Sequence, residues 1–125
     1  MNIDIELFFN KNPRELSLYT AFEKALFEKF PETIIKVQKT QISLYNRHGF
    51  GAVWLPKGRL KNCPEVCIAV TLGLPHRVNH PRLAVVSEPY PGRFTHHFII
   101  SDVSDVDGEF MSLVEEAYRF SESKR

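Results

Sequence analysis

The chain has 125 residues, ordinary apolar and charged fractions, and a formal net charge of +1. That length is enough for one domain, residues 1–125, with a core that needs no disulfide or metal staples. The near-zero charge excludes a global field for nucleic acid or an anionic membrane, so any electrostatic recognition must come from a local patch.

Ile3 to Phe9 predicts a short N-terminal element, helical or extended, that docks its apolar side chains. Asn12, Pro13 and Glu15 read as a helix start, with a cap, a first-turn proline and the N3 carboxylate of a capping box. The helix runs to about Phe30, carries Leu18, Phe22, Ala25 and Leu26 on its apolar stripe, and ends at Pro31. From Thr33 the period becomes two. Ile34 to Tyr45 reads as one long strand whose apolar phase slips between Val37 and Thr40, which predicts a bulge near Gln38. Asn46 to Gly49 forms a turn, and Phe50 to Leu55 returns antiparallel. Val66 to Leu72, Leu83 to Glu88 and Arg93 to Ser101 complete five strands, joined by a loop from Leu74 to Arg82 and a turn from Pro89 to Gly92. A last helix starts with Ser104 as its N-cap and buries Val106, Phe110, Leu113 and Ala117, and Ser121 to Arg125 form its frayed end. The order predicts an α+β domain. A five-stranded, mainly antiparallel sheet is flanked by an N-terminal and a C-terminal helix in two layers, with one sheet face at least partly open.

Two segments carry the candidate chemistry. On a strand, Lys39, Gln41, Ser43 and Tyr45 share one face, and Arg93, Thr95 and His97 share another. If both rows lie on one side of the sheet, they form a cationic, hydrogen-bonding patch. Lys39 and Arg93 would neutralise an anion, Gln41 and Thr95 would orient it, and His97 would donate a hydrogen bond that strengthens on protonation. His96 points the other way, with Phe94 and Phe98, and reads as a core histidine bonded to a backbone carbonyl or a tyrosine hydroxyl. Adjacent histidines on a strand diverge, so His96 and His97 cannot chelate one metal. The loop Lys57, Arg59, Lys61 adds basic groups. Trp54 reads as a core residue in preference to a stacking platform. Cys63 and Cys67 lack further ligands at metal spacing and read as reduced thiols.

Lys39-Thr40-Gln41-Ile42-Ser43, the strand from Phe50 to Pro56, Arg93-Phe94-Thr95-His96-His97 and the final helix with Glu116-Ala117-Tyr118 together resemble an uncharacterised bacterial domain-of-unknown-function family. The resemblance spans nearly the whole chain and implies no established activity. Element order alone is also similar to the frataxin-like iron-chaperone type, whose acidic metal-facing surface is matched here only by acidic residues near the last helix.

The residues imply a small binding module for an anionic ligand, either a phosphorylated or carboxylated small molecule or a nucleic-acid backbone. They call for no metal and no cofactor. The alternatives are an enzyme using His97 as acid or base, and a protein-interaction or homodimerisation module whose open face carries Val53, Leu55 and Ile99. No secretory signal or membrane-length apolar run is visible, so the expected location is the cytoplasm, away from membrane.

Overall fold

A computed structural model of the protein describes residues 2–61 and 63–124. It contains helices α1 (Ile3–Phe8), α2 (Pro13–Lys29) and α3 (Gly108–Glu122), and a 3-10 turn at Val103–Asp105. Six strands, β1 (Ile34–Val37), β2 (Ile42–Tyr45), β3 (Gly49–Trp54), β4 (Ile68–Leu74), β5 (Leu83–Tyr90) and β6 (Arg93–Ile100), form one sheet. Every pairing is antiparallel, in the order β1-β2-β3-β4-β6-β5. The helices cover one face, which gives the α+β architecture the sequence predicts.

The sheet has six strands where the sequence predicts five. The segment Ile34 to Tyr45 folds back on itself as the β1–β2 hairpin, and the slip in apolar phase marks its tip rather than a bulge. Gln38 N–H donates to the Gln41 carbonyl at 2.8 Å and closes the turn. Side chains replace the usual turn glycine: Ser43 Oγ donates to Gln38 Oε1 at 2.5 Å, and Gln41 Nε2 donates to Ser43 Oγ at 2.8 Å.

The core follows from strand alternation. Ile42, Val53, Val70 and Phe98 face each other across four neighbouring strands and are fully buried under the helices. Val53 therefore belongs to the core and not to an apolar open face, which removes the central residue of the homodimer reading. Phe110 of α3 meets Phe98 edge-on at 5.5 Å, and Tyr118 stacks on Phe30 at 4.0 Å. A β3 bulge sends Phe50 to the same side, because Tyr45 pairs with Gly49 while Leu44 pairs with Gly51. There Phe50 meets the ring of Tyr118 at 5.1 Å.

Local helix signals were partly redirected. Pro13 opens α2 behind Asn12, whose side chain makes no cap hydrogen bond. Glu15 does not complete a capping box. It is buried and accepts from Lys57 Nζ at 3.0 Å. The final helix begins at Gly108, later than Ser104, because Asp107 accepts from Phe110 N–H at 2.8 Å and is the true N-cap. Asp102 caps the preceding 3-10 turn. Arg125 lies outside the described residues. No described helix is long and apolar enough to cross a membrane.

Gly51 is set by steric contact. A Cβ built there would lie 2.6 Å from the Thr71 carbonyl oxygen. The variant Gly51→Ala must push β3 and β4 apart, at a cost of roughly 1–3 kcal/mol. Urea denaturation is expected to show a lower midpoint with an unchanged slope, and a wild-type midpoint would refute this account of the β3–β4 contact.

Candidate functional site

The face opposite the helices holds the polar residues of the sheet. Cross-strand pairing places Ser43, Ala52, Thr71 and His97 in one row over β2, β3, β4 and β6. Gly73 and Thr95 form the next row on one side, and Trp54 and Ala69 the next on the other. Lys36 and Arg93 both point to this face.

At the centre lies a hydrogen-bond chain. Trp54 Nε1–H donates to Thr71 Oγ1 at 2.8 Å, and Thr71 Oγ1 lies 2.8 Å from His97 Nδ1. The indole N–H is donor only, so the Thr71 hydroxyl accepts from it and is free to donate its own proton, a donation we assign to His97 Nδ1. This assignment leaves the His97 proton on Nε2, which has no hydrogen-bond partner among the described residues. The Trp54 and His97 rings meet edge-on at 5.7 Å, which fixes the imidazole plane. Burial pushes the His97 pKa below its ordinary value, so the ring is a neutral donor at pH 7.

Two joined concavities run along this face. The larger, about 410 Å³, is lined by Thr40, Gln41, Trp54, Arg59, Thr71 and His97. The smaller, about 260 Å³, shares Gln41 and Thr71 and extends past Tyr45, Gly73 and Thr95 to Lys124. Gln41 donates to Ser43 Oγ and Gln38 Oε1, which leaves its own Oε1 as an acceptor for the groove. Arg59 is exposed and makes no ion pair among the described residues. Burial, and then the nearby Arg93 charge, lower the Lys124 pKa.

Of the residues singled out from sequence, Gln41, Thr95 and His97 line this groove. Lys39 is exposed at the tip of the β1–β2 hairpin, and Arg93 opens β6 at the far corner, with β3 and β4 between their two strands. They do not converge on one point. Trp54 is not a core residue. It pairs with Ala69 on the open face, because Val53 beside it takes the core position. Thr71, Gly73 and Lys124 are further groove residues that sequence reasoning did not single out. The alternation of Val70 and Leu72 around Thr71 was the available signal.

His96 behaves as expected of a core histidine. Its Nε2 accepts from Val78 N–H at 3.0 Å, which puts the proton on Nδ1, 3.2 Å from the Phe94 carbonyl. Burial lowers its pKa as well. Cys63 and Cys67 are free thiols, and burial pushes the Cys67 pKa up to about 11, far from a reactive thiolate. Among the described residues, no group of three His, Cys, Asp or Glu side chains is placed to hold a metal ion.

The profile of the family described as Domain of unknown function (DUF5655) matches residues 5–121, and the chain belongs to that family. No curated protein and no solved structure matches it.

His96 and His97 bind protons less readily folded than unfolded. Their contribution to stability is complete above the ordinary imidazole pKa of about 6.5 and declines as pH falls through it. His76 acts in the opposite sense. Its hydrogen bond to Glu116 raises its pKa, so that contribution is present at low pH and lost as pH rises, and exposure keeps it small. NMR titration of the rings is expected to give His97 and His96 pKa values below that of His76, with a lower urea midpoint at about pH 5 than at about pH 7. A His97 pKa above that of His76 would contradict the neutral chain from Trp54.

Proposed function

We propose that the protein is a small anion-binding module, and that its open sheet face is the binding surface. The observation that carries this reading is the Trp54–Thr71–His97 chain. It holds one neutral N–H donor in place beside the unpaired Arg59 guanidinium, in a groove with no facing carboxylate. A donor whose orientation is fixed before binding loses little freedom when an anion arrives, and an Arg fork matches carboxylate or phosphate geometry. Gln41 and Thr95 orient the ligand from either side of the shared floor. Lys39 and Arg93 act from the two ends of the face, adding attraction without direct convergence. The ligand class is a phosphorylated or carboxylated small molecule, or the backbone of a nucleic acid.

Trp54 is the only tryptophan of the chain, so its fluorescence reports on the groove directly. Inorganic pyrophosphate and citrate serve as phosphorylated and carboxylated probes. At least one is expected to shift the emission, with affinity falling as salt rises and increasing as pH falls through the lowered His97 pKa, beneath the ordinary imidazole value of about 6.5. Arg59→Ala combined with His97→Ala removes two donors and is expected to weaken binding at least about tenfold. Unchanged emission and unchanged groove NMR shifts with both probes at millimolar concentration would sink the proposal.

A further inference from the structure

The two lobes of the groove differ in chemistry, and the difference narrows the ligand. The larger lobe presents a flat indole, one donor at His97 Nε2, one acceptor at Gln41 Oε1 and the Arg59 fork. A plain carboxylate or phosphate has no use for the acceptor or the ring. A heterocyclic base uses all of them, since its edge carries donors and acceptors and its face stacks on aromatic side chains.

The smaller lobe has a different character. Its floor is Gly73, and a Cβ there would meet nothing within 4 Å, so the missing side chain leaves open space beside Thr95. Lys124 lies over the ring of Phe120 at 4.9 Å and lines this lobe. Arg93 shares its face of β6 with Thr95, which lines this lobe, and its charge lowers the Lys124 pKa; two neighbouring cations suit a phosphate. Thr71 lies at the junction of the lobes, and the Trp54 indole leans over it from the next row, its Nε1–H reaching Thr71 Oγ1 at 2.8 Å; Gly73 is two residues further along β4, so the indole tip and the smaller lobe are about 7 Å apart, within the reach of one pentose.

The distribution of charge agrees. Among the described residues, all carboxylates except Glu32, Glu65 and Glu88 sit in helices, the 3-10 turn or their N-caps. Of the described Lys and Arg residues, only Arg14, Lys24, Lys29 and Arg119 lie on helices. The chain is nearly neutral in sum, with its bases concentrated on the sheet and loops.

We propose that the groove takes a nucleotide unit, its base against Trp54 and its phosphate beside Lys124 and Thr95. The proposal rests on the anion-site reading above. The same chemistry recognises the unit free or within a single strand.

Calorimetric titration with adenosine 5′-monophosphate, ribose 5-phosphate, adenosine, inorganic phosphate and a short oligoadenylate tests it. The monophosphate is expected to bind at least about tenfold tighter than ribose 5-phosphate or adenosine, because only it fills both lobes. Gly73→Val fills the smaller lobe with a strand-favouring side chain and should leave the unfolding midpoint intact. It is expected to lower monophosphate affinity to that of adenosine, and Trp54→Leu to that of ribose 5-phosphate. Tighter binding of the oligoadenylate than of the monophosphate assigns the unit to a single strand, and equal binding assigns it to the free nucleotide. Equal affinity for the monophosphate, ribose 5-phosphate and inorganic phosphate would overturn the nucleotide proposal and leave the anion site standing. Absence of binding by every probe would overturn both. Unchanged monophosphate affinity in folded Gly73→Val would remove the phosphate lobe.

Discussion

The register between β3 and β4 is the constraint on which the rest of the molecule depends. Gly51 brings the two backbones together where any larger residue would strike the Thr71 carbonyl. With that contact fixed, Val53 faces Val70 beneath the helices and Ala52 faces Thr71 above. A shift of one residue would exchange the two faces, burying Thr71 and exposing Val70. The same register fixes the position of Trp54 relative to Thr71, and hence which hydroxyl the indole N–H can reach.

A second effect follows from the layer arrangement. Antiparallel sheets tolerate water on one side, so the polar residues of four strands collect on one surface without an energetic conflict with the core. The carboxylates meanwhile pair within or near the helical layer: Lys29 meets Glu115 at 3.1 Å, and Arg82 meets Asp107 at 2.9 Å. Among the described residues, Lys36, Arg59 and Arg93 make no such ion pair. A protein of nearly zero net charge therefore has two unlike sides, and its field at the groove is local rather than global.

Much of this was legible in the sequence. Period-two runs located the strands, and the alternation Val70, Thr71, Leu72 located the two faces. The hairpin tip was hidden because Gln38 to Gln41 contains none of the glycine, proline, asparagine or aspartate that normally marks a turn. Its closure depends on side-chain hydrogen bonds from Ser43 and Gln41, which composition does not reveal. Trp54 was hidden for another reason. Bulk and apolarity suggest burial, and only the pairing of its neighbour Val53 shows which side is which. Gln41 and His97 could each be assigned to the polar row of its own strand, but whether the two rows share a side, and that Thr71 and Lys124 join them, depends on segments that only tertiary structure brings near.

The turn that leads to Arg59 has a further consequence. Lys57 adopts a left-handed backbone at φ 32, an unfavourable state for a residue with a side chain, next to Gly58 at φ 83. The conformation is held because the Lys57 ammonium reaches across to the buried Glu15 of α2. The loop thus has a root anchored in the helical layer and a charged tip on the opposite side of the sheet. Removing the Lys57 ammonium would therefore leave the buried Glu15 carboxylate without its cation and release the root of the loop that carries Arg59.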